Sequence, residues 1–322
     1  MLYIGIDISK NTFDVAVLDN DIYKHEQFLN HLKGFKNLER WIKSFKDKPL
    51  FCMEATGIYG LALAKYLFQQ GYNVIVANPL KTNHFAKMEM SRNKTDKADS
   101  MSIARYCKHL ENNGQIKKSL FTPKSESYEA LQYLNTRLEQ LDKLRTQENN
   151  RLSVSLNKIA KQSVKSVLKS LEKQVITIKK EMSTIVKQDD NLQEQVNLLT
   201  SINGIGEKTA WSILAYIGDI SLFSNANQIS SFVGLNPQVM QSGTSINKTG
   251  LSKKGNKYLR KSLYMPSVVA IRYNPLLKDL YERILSKGKP KKVALCAVMR
   301  KLMVLAYGVL KSGKVFEPSY QK

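Results

Sequence analysis

The chain has 322 residues and a formal net charge of +23, from 50 Lys and Arg against 27 Asp and Glu. That length suits about two domains, and the charge points to a polyanionic partner, most simply nucleic acid. Three scattered cysteines and four dispersed histidines suggest neither a disulfide framework nor a zinc site, and suit a reducing cytosol. No leader is expected before the first strand. No membrane span is expected either, because Arg300 and Lys301 interrupt the apolar stretch 293–310.

Residues 2–8 form an apolar, β-branched run that reads as a strand buried on both faces. Asp7 lies within it, and a carboxylate there needs a cation or hydrogen-bond donors. Gly5 leaves room for close approach to the backbone. Residues 12–18 read as its hairpin partner, with Asp19-Asn20 as the next turn and 22–28 as a third strand. Leu32, Phe35, Leu38, Trp41 and Ile42 recur at helical spacing. A strand at 49–53 ends at Glu54, a helix covers 59–69, and a strand at 73–77 stops at Asn78-Pro79. This order suits a mixed sheet flanked by helices over 1–112. Thr95 is a good N-cap for a helix reaching about residue 110, with Asp96 and Asp99 three apart in its first turn. Complementation of the helix dipole explains two such acids by itself.

From 125 to 198 Gly and Pro are absent and a heptad seam runs through Val164, Leu168, Leu171, Val175, Ile178, Met182 and Ile185. Leu131, Leu134, Leu138 and Leu141 form an earlier seam. Two long helices are predicted, packed as a hairpin or between subunits, with a partner subunit the expectation. The simpler alternative is one helix lying on a globular domain.

Residues 199–322 read as a compact helical domain. The run from Ile202 through Gly204, Gly206, Lys208 and Thr209 has the pattern of a helix-hairpin-helix turn whose free backbone N–H groups, with Lys208 and Thr209, hold a phosphate. An ordinary helix–helix turn has the same look. Gln241-Ser242-Gly243 reads as an exposed loop. Lys248, Lys253, Lys254, Lys257 and Arg260 follow in glycine-punctuated sequence suited either to phosphate contacts or to simple solvation. Helices are predicted at 258–272, 275–287 and 290–310.

Gly5-Ile6-Asp7, Met53-Glu54-Ala55-Thr56-Gly57, Lys94 through Asp99 and Gln241-Ser242-Gly243 occur in the order and spacing of a known family. Together they resemble the DEDD transposases of bacterial insertion sequences, the bridge-RNA-guided recombinases related to the pilin gene-inverting invertases. The resemblance spans nearly the whole chain. It implies a ribonuclease-H-like (RuvC-like) α/β domain, a long helical coiled coil, and a mostly α-helical domain with a helix-hairpin-helix. It also implies that Asp7, Glu54, Asp96 and Asp99 hold divalent metal, Mg²⁺ as a pair of ions, and that Ser242 is the nucleophile. The implied activity is strand cleavage, exchange and religation through a phosphoserine intermediate. The implied partners are double-stranded DNA at element ends and target, a noncoding guide RNA, and a second or further copy of the chain as dimer or tetramer. A junction-resolving endonuclease using activated water and a non-catalytic nucleic-acid-binding scaffold are the alternatives.

Overall fold

The computed structural model describes the chain except Thr56, Ile58, 90–94, 243–245, Lys253 and 319–322, and omits the side chains of 239, 240, 242 and 246–249. The motif residue Lys253 therefore lies outside the described residues, as do the side chains of Ser242 and Lys248. The chain divides into two compact units, Met1–Pro123 and Lys124–Lys322.

The first unit is built on β1 (Leu2–Ile8), β2 (Thr12–Asp19), β3 (Ile22–Leu29), β4 (Pro49–Glu54) and β5 (Asn73–Ala77), in sheet order β3-β2-β1-β4-β5. The first three strands pair antiparallel; β4 and β5 join parallel to β1 and to each other. Asn20 and Asp21 both have positive φ and make the tight turn before β3, one residue later than the pattern suggests. Helices α1 (Leu32–Ile42) and α2 (Leu61–Gln69) make the two crossovers. Strand alternation separates the faces. Leu2, Ile4, Ile6 and Ile8 pack with Phe35, Leu38, Leu63 and Leu67 on one side. The odd-numbered positions look the other way.

Asn78-Pro79 ends β5 as expected, but it also starts a helix, α3 (Pro79–Met88). The Asn78 side chain accepts from Leu80 N at 2.9 Å, and proline occupies the first turn, where its missing N–H costs nothing. Then α4 (Asp96–Asn112) covers the second sheet face, with Ile103, Tyr106, Cys107 and Leu110 against Leu50, Cys52 and Ile75. A short α5 (Ile116–Ser119) closes the unit.

In the second unit α6 (Glu126–Val154) and α7 (Lys158–Gln188) form a helical hairpin. The seam residues Leu168, Leu171, Val175 and Met182 are buried, and Leu171, Val175 and Met182 join Leu131, Leu138 and Leu141 of α6 in one core. The seam is thus covered inside its own chain, and its burial needs no second subunit. Asp189 caps α8 (Asp190–Thr200) through Leu192 N. There follow α9 (Glu207–Ile217) and α10 (Ala226–Val233).

The stretch after α10 is not an open loop. β6 (Pro237–Ser242) and β7 (Ile246–Leu251) pair antiparallel, with Ser242 opposite Ile246 at the far end. The hairpin root is fastened where Ser252 N donates to Asn236 O and Asn256 N to Phe232 O. Gly255 allows this: its φ is +147°, and a Cβ there would lie 2.5 Å from Phe232 O. The helix predicted at 258–272 is two, α11 (Lys257–Ser262) and α12 (Tyr264–Tyr273). Pro266 has no N–H to give to the carbonyl one turn earlier, so the helix restarts. Last come α13 (Pro275–Ser286) and α14 (Lys291–Ser312). By length and composition α14 could cross a membrane, but half of its apolar window is buried in the helical core.

Candidate active site

Tyr3, Gly5 and Asp7 face α4, and Gly5 sets how closely that helix lies. A Cβ on Gly5 would be 2.1 Å from Ser100 O and 2.3 Å from Ala104 N. The backbone of α4 therefore rests directly on β1. One turn before Ser100 is the first turn of α4, where Thr95 Oγ1 accepts from Ala98 N and Asp96 and Asp99 sit. The strand residue two steps beyond Gly5 is Asp7. Ile6 pairs with Met53, so Glu54 follows at the level of Asp7 on the neighbouring strand and shares the face of Cys52.

These placements make one electrostatic site. Burial first, then the charges of Asp99, Asp96 and Glu54, push the Asp7 carboxyl up to about 6, against the opposing Ile8 N–H. Among the described residues no cation contributes to the shift. The other three predicted acids are thus all felt at the Asp7 carboxyl. They are nevertheless not drawn to ligand distance: among the described residues no three His, Cys, Asp or Glu side chains close on a common point. The two findings are compatible, because like charges repel across several ångströms, whereas a shared ion needs oxygens at about 2–2.5 Å. The donor set fits a hard divalent ion: oxygen-only, acidic, and with no counter-charge on Asp7 among the described residues.

Sequence reasoning missed Asp14. It pairs directly with Asp7 across β1 and β2, on the same sheet face, and is 6 % exposed. Its two oxygens accept from His25 Nε2 at 2.9 Å and Gln27 Nε2 at 3.0 Å. The signal was available in the hairpin register, since both aspartates occupy α4-facing positions.

In the second unit, the turn between α8 and α9 leaves Gly206 at the α9 N-cap without a side-chain cap. Lys208 extends to Asp142 of α6 at 2.8 Å, and Thr209 is half-buried. Both line a cavity of about 240 Å³ with Asn135, Glu139 and Tyr258. Burial pushes the Glu139 carboxyl up, while the Tyr216 hydroxyl donates to it at 3.0 Å. Arg260 donates to Val233 O at 2.8 Å, holding α11 to the end of α10, and the Lys257 ammonium lies 5.0 Å from the Tyr258 ring centre. Lys254 is exposed.

A five-stranded mixed sheet with acids gathered at one face, followed by a helical region, is consistent with a RuvC-like DEDD fold and marks an enzyme acting on DNA. Residues 4–161 match the DEDD transposase profile of the IS110 type, and 196–282 match that of the IS116/IS110/IS902 transposase family. The pilin gene-inverting proteins of Moraxella bovis and Moraxella lacunata are each 33% identical over 98% of this chain and 97% of their own length. The transposase of insertion sequence element IS1111A from Coxiella burnetii is 37% identical over 26% of this chain and 22% of its own. The chain belongs to this family of DEDD insertion-sequence transposases, whose members use divalent metal.

Proposed function

We propose that this transposase cuts, exchanges and rejoins DNA strands at a site where Asp7, Glu54, Asp96 and Asp99 hold two Mg²⁺ ions. The observation that carries the reading is the Asp7 carboxyl, half-buried and pushed up to about 6 with three other carboxylates acting on it. A cation would relieve that destabilised charge, and carboxylate oxygens suit a hard ion. When bound, the metal would supply charge stabilisation at the phosphate undergoing transfer.

Ser242 is the proposed nucleophile, on the family resemblance and on its place at the free end of a hairpin anchored at its root. Its Oγ–H loses a proton as the oxygen bonds to phosphorus. The P–O bond to the leaving strand breaks, and that strand departs as a hydroxyl. The hydroxyl end of the other strand then displaces the serine, which regains its proton. A serine hydroxyl is weak at its ordinary pKa and requires activation.

Lys208 and Thr209, with the N-terminus of α9 acting as a helix-hairpin-helix element, are proposed phosphate contacts. Lys248, Lys253, Lys254, Lys257 and Arg260 are proposed as further ones. The Lys208–Asp142 pair would have to open for such a contact. The resemblance further supports guidance by a noncoding RNA, and assembly of two or four copies to hold two DNA sites. The test is cleavage of element-end DNA with Mg²⁺ and the co-purified RNA. The wild type should leave a denaturation-resistant protein–DNA adduct that Ser242→Ala abolishes. Nicking without any adduct in either protein would assign the attack to water instead.

A further inference from the structure

Lys158, Lys161, Lys165, Lys169, Lys173 and Lys180 recur every three, four or seven residues along α7, and all are exposed. At 100° per residue they fall within an arc of about 120°. Lys187 continues the row, so it runs for about 44 Å at 1.5 Å per residue. The arc is separate from the seam face that Leu171, Val175 and Met182 bury.

Two observations set this face apart from an ordinary solvated one. The partner helix α6 mixes its charges, and Asp142–Arg145 and Glu148–Arg151 pair along it. On α7 none of the six lysines has an ion pair among the described residues, and Glu172 is the one acid inside the arc. Lys161, Lys165, Lys169 and Lys173 also stand in successive i,i+4 positions, where like charges destabilise a helix. The row thus works against the helix that carries it.

We propose that this face of α7 is a docking surface for the backbone of duplex DNA, separate from the acidic site and from the phosphate contacts near α9. The residue types choose the ligand. α7 contains no aromatic residue and no arginine. Single strands are held largely by stacking on aromatic rings, and base edges are read most often by bidentate arginine, whereas Gln162 is the one amide side chain in the arc. Lysines on a stiff rod offer point charges, which suit phosphates irrespective of sequence. A rod of about 44 Å spans roughly 13 base pairs of B-form duplex at 3.4 Å per pair. Duplex DNA is the polyanion on which this chain's family acts. The proposal rests on that family membership and not on the metal or serine roles.

The test compares the full-length wild type with a variant carrying Lys161→Gln, Lys165→Gln, Lys169→Gln and Lys173→Gln. Binding to a 30-base-pair DNA duplex of arbitrary sequence is measured across a salt series. The slope of log affinity against log salt should become shallower by about 3, with at least a tenfold loss near 0.1 M salt. The melting temperature should hold or rise as the lysine repulsions go. A second measurement needs no variant: acetylation of the same four lysines in the wild type should be suppressed by bound DNA. All binding is measured without Mg²⁺, so failure of this proposal is read separately from failure of the metal reading. Equal slopes, or unprotected lysines, would overturn the proposal. So would a loss seen only with duplex RNA.

Discussion

Asp7 and Asp14 stand directly opposite each other across the first strand pair, both facing α4. The charges that raise Asp7 nevertheless come from Asp99, Asp96 and Glu54, not from Asp14. Asp14 is held by His25 and Gln27 from the edge strand, so its charge is dispersed. Among the described residues Asp7 has no such side-chain donor acting on it, and it meets three further acids. The sheet therefore separates a satisfied aspartate from one left in need of a cation.

That asymmetry gives a pH signature. The folded Asp7 titrates near 6 against an ordinary 3.8. Between those values the native state binds more protons than the unfolded state, so the metal-free fold loses stability as pH rises through about 4 to 6. Asp7→Asn should remove that contribution. The difference in melting temperature between Asn variant and wild type should grow in favour of the variant from pH 4 to pH 7. Adding Mg²⁺ at pH 7.5 should raise the wild-type melting temperature and leave the variant nearly unmoved, and at pH 5 protons should weaken the wild-type response. A pH-independent difference between the two proteins would remove Asp7 from this role.

Gly5→Ala should damage the same site without touching an acid. The new methyl meets backbone atoms of Ser100 and Ala104, which cannot rotate away. Displacing α4 should cost about 1–3 kcal/mol by urea unfolding. It should also shrink the Mg²⁺-induced shift in melting temperature, because Asp96 and Asp99 ride on that helix. A wild-type response in both measurements would mean that α4 does not rest on Gly5.

The α7 seam should behave as core. Met182 is fully buried within its own unit, so Met182→Ala should cost about 2–5 kcal/mol in urea unfolding. Charges introduced at Leu171 and Ile178 should disrupt the helical unit, seen as lost far-ultraviolet dichroism. Well-folded monomers from that double variant would return the seam to an interface between subunits.

Asp142→Asn should release Lys208. An exposed pair of this kind contributes about 0.2–1 kcal/mol. Non-specific DNA affinity at low salt should therefore rise by up to about fivefold, and Lys208→Ala should cancel the gain. An unchanged affinity in Asp142→Asn would argue that Lys208 meets no phosphate.

Ser242 and the acids lie in different units of the chain. A mixture of Ser242→Ala and Asp7→Asn chains asks whether one subunit's serine serves another's acids. Shared sites should restore part of the adduct-forming activity that either variant alone lacks. No recovery, with mixed assemblies demonstrated by tagged pull-down, would confine each site to one chain.

The sequence by itself determined what depends on neighbours along the chain. The apolar, β-branched runs at 2–8 and 12–18 gave two strands, Thr95 gave the start of α4, and four acidic or serine-bearing motifs in order gave the family. The structure decided what depends on residues far apart. Asp14 matters because the β1–β2 register sets it against Asp7, and that register is a matter of pairing, not composition. The loop expected around Ser242 is a hairpin because Gly255 lets distant backbone close its root. The leucine seam of α7 reads the same whether its cover is α6 or another chain, since apolar burial has no preference for the chain that supplies it. Only the folded coordinates place α6 against it.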